Sequence, residues 1–274
     1  MNSNHSPGIQ PKPVLTIAGS DCSCGAGLQA DLKTFQHFHL HGLTAVTCVV
    51  SETANIVRRV DAVDPSMLRD QILLLLDTFP ITVVKTGMLG SENHVMAVAE
   101  IFKNHPQIRL VIDPVMIAST GASLIEPKAI SAYREQLLPL ATLITPNLPE
   151  AETLLGKKIA STDAMSDAAA ALAGIYGCSA LVKGGHLKSD FCTDVLSDGT
   201  QEHLFTSPRL NVNASHGTGC TLSAAIASCL ANGEDLSSSV SCAKDYLNQC
   251  LMHAYHYDRT DGNTVHLLNQ GTRF

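Results

Sequence analysis

The feature that most constrains the fold is a repeated alternation between short β-branched runs and longer segments with helical periodicity. The runs predicted as strands are Val14–Ala18, Ala45–Val50, Val83–Thr86, Leu110–Ile112, Leu143–Thr145 and Ala180–Val182. The helices predicted between them are Leu28–Phe38, Ser66–Thr78, Asn93–Asn104, Pro127–Leu138 and Ala164–Ile175. Because the strand runs lack strict polar alternation, the pattern predicts an α/β fold whose mostly parallel sheet is covered by helices on both faces.

The remaining segments extend this pattern without dividing the chain. Arg58–Val63 and Thr193–Phe205 are expected to add extended or hairpin segments, the second turning at Ser197-Asp-Gly199. Leu222–Leu230 and Leu236–His253 are predicted as two further helices. Since no linker-like stretch or internal repeat interrupts the sequence, we expect a flexible N-terminal tail at residues 1–12 and a single domain at residues 13–274.

Charge and cysteine content exclude several classes of protein. The chain has 18 basic and 25 acidic residues, a net charge of −7, which argues against a nucleic acid or an anionic membrane as partner. The strongest apolar cluster, Ile72–Leu76, is far shorter than the roughly 20 residues of a membrane-spanning helix. Residues 1–8 lack the basic and apolar regions of a signal peptide. The nine cysteines are scattered through core segments, which favours reduced thiols and a cytoplasmic location.

The segment His216-Gly-Thr-Gly-Cys220 is the strongest candidate for chemistry. It precedes a run of small and apolar residues that is typical of a buried helix. A glycine turn at a helix start lets several backbone N–H groups point at one anion, with the helix dipole adding positive potential. Cys220 falls in the first turn of that helix, where a thiol pKa is commonly lowered. The alternative is a tight turn before a core helix, with Cys220 as a small buried hydrophobe.

Polar residues and glycines follow nearly every predicted strand. These strand ends are Gly19–Asp21, Ser51-Glu52, Lys85–Met88, Asp113-Pro114, Thr145–Asn147 and Lys183–His186. In open α/β sheets the ligand crevice lies beyond the carboxyl ends of the strands. The sequence therefore predicts that these residues share one ligand site.

Several of these residues have both a structural and a functional interpretation. Asn147 and Glu150 fit a helix cap with a capping box, and they equally fit an oxygen-rich pair that organises hydrated Mg²⁺. Lys183 can reach a phosphate across the following glycines, or extend from a strand end into solvent. The spacing of Cys22 and Cys24 does not support a zinc site, because no second Cys/His pair matches it.

Seven segments together resemble the hydroxymethylpyrimidine/phosphomethylpyrimidine kinases of thiamine biosynthesis, which belong to the ribokinase-like superfamily. They are Leu15–Asp21, Gly25–Phe35, Lys85–Leu89, Val111–Met116, Leu143–Ala151, Val182–His186 and His216–Ala225. The resemblance runs in order from about residue 14 to residue 254. It implies a three-layer ribokinase-like α/β fold, a homodimer, and a kinase that uses ATP and Mg²⁺. The implied reaction phosphorylates the hydroxymethyl group of 4-amino-5-hydroxymethyl-2-methylpyrimidine, and then the resulting monophosphate.

The resemblance also implies roles for individual residues. Cys220 corresponds to the catalytic base, and the anion hole corresponds to Gly217, Thr218 and Gly219. The implied substrate pocket consists of Gly19, Asp31, Glu52, Met88 and Val115. The implied ATP and phosphate contacts are Asp113, Asn147, Lys183 and Lys244, with Glu150 holding Mg²⁺ through water.

Two positions depart from the family pattern. Glu52 stands where the family commonly has a glutamine that pairs with the aminopyrimidine, so pyridoxal or pyridoxine is the alternative substrate. Cys24 stands where the family usually has glycine, which is expected to stiffen and narrow the first loop. A third interpretation is a ligand-binding regulator on the same fold, against which the presence of Cys220, Asn147 and Glu150 argues.

Overall fold

A nine-stranded sheet forms the centre of the computed structural model, which describes residues 10–116, 125–258 and 262–271. In spatial order the strands are β3, β2, β1, β4, β5, β6, β7, β8 and β9. In chain order they span Pro13–Asp21 (β1), His41–Thr53 (β2), Ile56–Ala62 (β3), Val83–Thr86 (β4), Arg109–Ile112 (β5), Leu143–Ile144 (β6), Ser179–Val182 (β7), Phe191–Ser197 (β8) and Glu202–Pro208 (β9).

The six central strands pair in parallel, and in spatial order they are β2, β1, β4, β5, β6 and β7. At the two ends of the sheet, β3 pairs antiparallel to β2, and the β8–β9 hairpin adds antiparallel to β7. The parallel strands β4, β5 and β7 are short and almost wholly buried because both faces of the sheet are covered, which explains their apolar runs. Their carboxyl ends all lie at one edge of the sheet, where the candidate site is found.

Two helical layers complete a three-layer structure. The helices are α1 (Gly27–His37), α2 (Pro65–Thr78), α3 (Glu92–Lys103), α4 (Pro127–Ala132), α5 (Leu148–Leu155), α6 (Thr162–Tyr176), α7 (Thr218–Asn232) and α8 (Leu236–Met252). One core packs α2 to α6 against the sheet, and a second core packs α1, α7 and α8 against the other face. The predicted fold class is confirmed.

Two local features differ from the sequence predictions. The helix predicted at Pro127–Leu138 is α-helical only to Ala132, and it continues as a π turn at Tyr133–Leu137 and a 3₁₀ turn at Leu138–Leu140. Pro139 lies in that last turn and has no N–H to continue α-helical hydrogen bonding. A hairpin of β10 (Tyr255–Asp258) and β11 (Thr264–Leu267) was not predicted.

The expected N-terminal tail is described only in part, because residues 1–9 lie outside the described residues. Lys12 is held at both its main chain and its side chain. Its carbonyl accepts from the His41 N–H at 2.9 Å, and its Nζ donates to the Ala231 carbonyl at 3.0 Å. Within the described part of the chain, no helix has the length and apolar character needed to cross a membrane.

Candidate active site

Two glycine-rich loops interlock at the carboxyl edge of the sheet. Gly217 has φ +80°, and a Cβ atom there would lie 2.0 Å from the Gly25 carbonyl oxygen. Gly27 has φ +57°, and a Cβ atom there would lie 2.4 Å from the Gly19 carbonyl oxygen. Only glycine combines this backbone conformation with such close approach. The loop after β1 and the loop before α7 therefore form one unit.

Asp21 and His216 join the two loops through their side chains. The Asp21 carboxylate accepts from the Ser23 N–H at 2.7 Å and the Ala26 N–H at 2.8 Å, and it contacts His216 Nε2 at 2.9 Å. Burial raises the pKa of Asp21, but these hydrogen bonds outweigh it and leave the pKa below its usual value. Sequence reasoning did not single out this pair, although both residues border glycine-rich segments.

The N-terminus of α7 presents the predicted anion-binding segment. Its N-cap is Gly217, and no side chain among the described residues caps this end. The three residues that follow, Thr218, Gly219 and Cys220, are half-buried, whereas the helix from Thr221 to Ala231 is completely covered. The N–H groups of the first turn of a helix lack intrahelical partners, so this end can bind an anion.

Cys220 is not the low-pKa thiol that its position in the first turn predicts. Burial raises the pKa of Cys220 to about 11, although the Lys85 charge and the Gly27 N–H act to lower it. The carboxylates of Asp31 and Asp113 add to the increase. Desolvation of the thiolate outweighs the helix terminus here, so the ligand-free protein holds Cys220 as a thiol at neutral pH.

Asp31 lies under the site and not on its surface. Its side chain is fully buried, where both carboxylate oxygens accept from Lys85 Nζ at 3.0 and 2.8 Å. Thr16 Oγ1 donates to the same carboxylate at 2.6 Å. In this structure Asp31 therefore supports the expected substrate pocket from beneath. The sequence analysis placed Lys85 at the predicted site but gave it no role, although a lysine inside a buried strand is itself a signal, since buried charges need partners.

Lys183 and Asp113 meet beside the start of α7. Lys183 Nζ donates to Asp113 Oδ1 at 2.9 Å, and the same oxygen accepts from Thr145 Oγ1 at 3.3 Å. A Cβ atom at Gly219 would lie 3.3 Å from Lys183 Nζ, which shows how closely the helix approaches this ion pair. Burial lowers the pKa of Lys183, but the carboxylates of Asp113 and Glu150 outweigh it and keep the lysine charged.

Asn147 and Glu150 form a complete capping box at the start of α5. Asn147 Oδ1 accepts from the Glu150 N–H at 3.0 Å, and Glu150 Oε2 accepts from the Asn147 N–H at 2.8 Å. Burial raises the pKa of Glu150 to about 7, despite the opposing charge of Lys183. Among the described residues no group of three or more His, Cys, Asp or Glu side chains could hold a metal ion. The oxygen donors here suit Mg²⁺ that keeps most of its waters.

Lys244 is paired with a buried carboxylate, Asp194. Its Nζ donates to Asp194 Oδ2 at 2.6 Å, and Asp194 Oδ1 accepts from the Gly184 N–H at 2.9 Å. A Cβ atom at Gly184 would lie 2.0 Å from the Thr193 carbonyl oxygen, so the backbone at this turn is tightly packed against β8. In this structure Lys244 thus acts through Asp194 on the turn that follows Lys183.

The other predicted pocket residues surround the first loop. A Cβ atom at Gly19 would lie 3.8 Å from Met88 Sδ, so these two residues are neighbours. Glu52 interacts electrostatically with Asp21 and His216, and burial raises its pKa above the usual value. Val115 donates its N–H to the Asp113 carbonyl at 2.8 Å and borders residues 117–124, which lie outside the described residues.

Comparison with known proteins identifies the family. The sequence matches the family described as "Phosphomethylpyrimidine kinase" over residues 21–265. The chain belongs to the phosphomethylpyrimidine kinase family. It is 41% identical to the hydroxymethylpyrimidine/phosphomethylpyrimidine kinase of Haemophilus influenzae, over 93% of this chain and 96% of that protein. It is 40% identical to the thiamine biosynthesis bifunctional protein ThiED of Geobacter sulfurreducens, over 93% of this chain but only 52% of that protein.

The structure of this chain is similar to several solved structures, among them the pyridoxal kinase of Staphylococcus aureus in complex with AMP-PCP and pyridoxal. The TM-score is 0.85 at 34% sequence identity, covering 95% of this chain and 94% of that one. An ATP analogue bound to a protein of this fold supports ATP as the phosphoryl donor. The expected family, the ribokinase-like fold and the assignment as a kinase are confirmed.

Proposed function

We propose that this protein transfers the γ-phosphoryl group of MgATP to the hydroxymethyl group of 4-amino-5-hydroxymethyl-2-methylpyrimidine, and then to the phosphate of the resulting monophosphate. One observation carries the proposal beyond family membership. The uncapped start of α7, with Cys220 in its first turn, lies beside the Lys183–Asp113 ion pair and adjoins the first loop. An anion site, a proton acceptor and a phosphate-side cation are thereby brought together.

Each group of residues has its own role in phosphoryl transfer, which depends mainly on positioning and charge stabilisation. The N–H groups of Gly217–Cys220 hold the charge of the transferring phosphoryl group. Cys220 accepts the proton of the substrate hydroxyl as the oxygen attacks, and it does so in its thiolate form, the minor form in the ligand-free protein at neutral pH. Lys183 and Asp113 position the β- and γ-phosphates, and Asp194 with Lys244 fixes the turn after Lys183. Gly19, Glu52, Met88 and Val115 hold the heteroaromatic ring, with the Asp31 ion pair beneath them.

Asn147 and Glu150 are proposed to hold Mg²⁺ through water molecules. Glu150 Oε2 is used by the capping box, while among the described residues Oε1 accepts only from the Met116 N–H at 3.5 Å. One carboxylate oxygen therefore retains most of its acceptor capacity. The metal supplies neutralisation of the triphosphate charge when it is bound.

The function is tested by ADP release with four acceptors: hydroxymethylpyrimidine, its monophosphate, pyridoxal and pyridoxine. We expect the highest kcat/KM for the two pyrimidines, and a loss of ADP release with all acceptors in Cys220→Ser. Tight binding of a pyrimidine without ADP release would instead indicate a regulator. Preference for pyridoxal would reassign the protein to B6 salvage.

Phosphorylation of a B6 vitamer is the second candidate, and Glu52 is the observation that favours it. An ionised carboxylate accepts hydrogen bonds but donates none, so it pairs best with a protonated ring nitrogen. Glu52→Gln should therefore reduce kcat/KM for pyridoxal more than for hydroxymethylpyrimidine. Equal effects on the two substrates, or no effect on either, would show that Glu52 does not face the ring.

We further propose a cytoplasmic homodimer that binds neither nucleic acid nor membranes. The net charge of −7 supports the last two points, because anionic polymers and surfaces would be repelled. Light scattering of the purified protein measures its mass directly, and the 29.1 kDa chain mass doubles in a dimer. A monomeric mass at the concentrations used for kinetics would contradict the dimer.

A further inference from the structure

The buried ion pair of Lys85 and Asp31 joins three elements directly below the catalytic helix terminus. Lys85 is on β4, Asp31 is on α1, and Thr16 on β1 donates a third hydrogen bond to the carboxylate. None of these side chains is exposed to solvent. An ion pair of this depth is expensive to desolvate and adds little stability compared with apolar residues of the same volume. Its position therefore calls for an explanation other than stability.

The helix that carries Cys220, α7, packs against both β4 and α1, the elements that carry Lys85 and Asp31. The thiol interacts electrostatically with Lys85, with Asp31 and, from the end of β5, with Asp113. Lys85 supplies the largest favourable charge for the thiolate, and both carboxylates oppose it. The Gly27 N–H, at the start of α1, also acts to lower the pKa of the thiol. Asp31 lies one helical turn after Gly27, so α1 brings both the amide and the lysine partner to the thiol.

We propose that Lys85 is a positioning residue for phosphoryl transfer, fixed by Asp31 and Thr16 so that its ammonium group stabilises the thiolate of Cys220. The inference rests on the proposed role of Cys220 as proton acceptor, but it does not depend on the identity of the substrate. Because Asp31 holds Lys85 by both carboxylate oxygens, the lysine cannot move away to contact phosphate. It acts on the sulfur from a fixed site.

The test is the rate at which iodoacetamide alkylates Cys220 in the ligand-free protein. The thiolate attacks the methylene carbon and iodide leaves, so the rate follows the thiolate fraction. Rates are measured from pH 7 to 9.5, with peptide mass spectrometry separating Cys220 from the exposed Cys242 in the same samples. We expect Lys85→Met to slow alkylation of Cys220 about tenfold at each pH, which corresponds to a rise of one pKa unit. Alkylation of Cys242 should be unchanged.

Lys85→Met leaves Asp31 buried and unpaired, so a second variant protects the test against unfolding. In Lys85→Met/Asp31→Asn both charges are removed, and Thr16 retains an acceptor. Because the favourable charge of Lys85 outweighs that of Asp31, this variant should also slow the alkylation of Cys220, by a smaller factor. Lys244→Met removes another buried ion pair and serves as the matched control, with no change at Cys220 expected.

Unchanged alkylation of Cys220 in the folded double variant would overturn the proposal. An equal decrease in Lys244→Met would also overturn it, because the effect would then reflect general disruption. Failure of the proposed function has a different signature, since ADP release would be absent with every acceptor while the alkylation rates still depended on Lys85.

Discussion

Two of the helices that begin at the candidate site, α5 and α7, have N-termini that are built in opposite ways. At α5 the side chains of Asn147 and Glu150 satisfy each other's backbone N–H groups in a complete capping box. At α7 the N-cap is Gly217, which has no side chain, and no other described side chain replaces it. Both ends lie at the same edge of the sheet, but of these two only α7 lacks a side-chain cap. The Thr218 N–H donates to the Ser215 carbonyl at 3.4 Å, so the Gly219 and Cys220 N–H groups are the first-turn amides that can meet a ligand.

The presence or absence of a side-chain cap gives the two helix ends different roles: the capped end is stable by itself, and the uncapped end can bind an anion. A capped terminus stabilises its own helix, typically by about 1 kcal/mol, and holds its carboxylate in a fixed orientation. An uncapped terminus gives up that stability, and its amides remain available for an anion. Here α7 makes up for the missing cap by burying every side chain from Thr221 to Ala231.

The largest expected effect concerns the reactive group at the uncapped end. Cys220→Ser retains the backbone amides of α7 but replaces the thiol with a hydroxyl of much higher pKa. We expect kcat to fall by roughly 10²-fold or more, with little change in the KM for ATP. Steady-state kinetics with Cys229→Ser as control tests this, because Cys229 is buried further along the same helix. Near-normal turnover in Cys220→Ser would make Cys220 structural.

The pH dependence of phosphoryl transfer tests the protonation state of Cys220. With the pKa of Cys220 raised to about 11, the thiolate fraction is small at pH 7 and grows as pH rises. The single-turnover rate should therefore increase, by up to about tenfold per pH unit, between pH 7 and 9. In Cys220→Asp the carboxylate is ionised throughout this range, so the slope should disappear. A flat wild-type profile would contradict the assignment of the Cys220 thiolate as the proton acceptor.

A side chain at the N-cap of α7 tests whether this end must stay bare. Gly217→Ala forces alanine into φ +80° and places its Cβ 2.0 Å from the Gly25 carbonyl oxygen. We expect kcat/KM to drop about tenfold and the Tm to fall, because the two loops must separate. Gly177→Ala is the matched control, since it has φ +67° with no atom within 4 Å of the added Cβ. Equal loss of activity in both variants would attribute the effect to backbone strain alone.

The smallest effect is expected at the capped end. Glu150→Gln keeps a capping-box acceptor but loses the negative charge, so the Tm should barely move. The Mg²⁺ concentration for half-maximal activity should rise a few-fold, because a carboxylate binds hydrated Mg²⁺ better than an amide does. Glu152→Gln, on the same helix, controls for a general loss of charge. An unchanged Mg²⁺ titration would leave Asn147 and Glu150 as a cap only.

Much of the fold was predictable because its signals are local. The six central strands and the helices around them follow from apolar runs and helical periodicity, and their order gives the parallel sheet. The β10–β11 hairpin was missed because its strands are exposed or half-buried and lack an apolar run. The sequence predicted one uninterrupted helix after Pro127, because its pattern does not reveal where a π turn interrupts the α-helix.

The candidate site was predicted less completely, for a physical reason. Motifs at strand ends identified Cys220, Asn147, Glu150 and Lys183, since the chemistry of each is visible in its neighbours along the chain. The partners were not visible, because Asp31 and Lys85 are 54 residues apart and Asp21 and His216 are 195 apart. Such pairs depend on which helix packs over which strand.

By itself, the sequence determined the βα alternation, the glycine turns and the polar residues that follow each strand. These are properties of neighbouring residues, fixed by backbone sterics and side-chain periodicity. Only the tertiary structure decided the charge states within the site. The first turn of a helix favours a thiolate at Cys220, but the burial of that residue against Asp31 and Asp113 reverses the preference. Desolvation depends on everything packed around a group, and that packing exists only once the chain has folded.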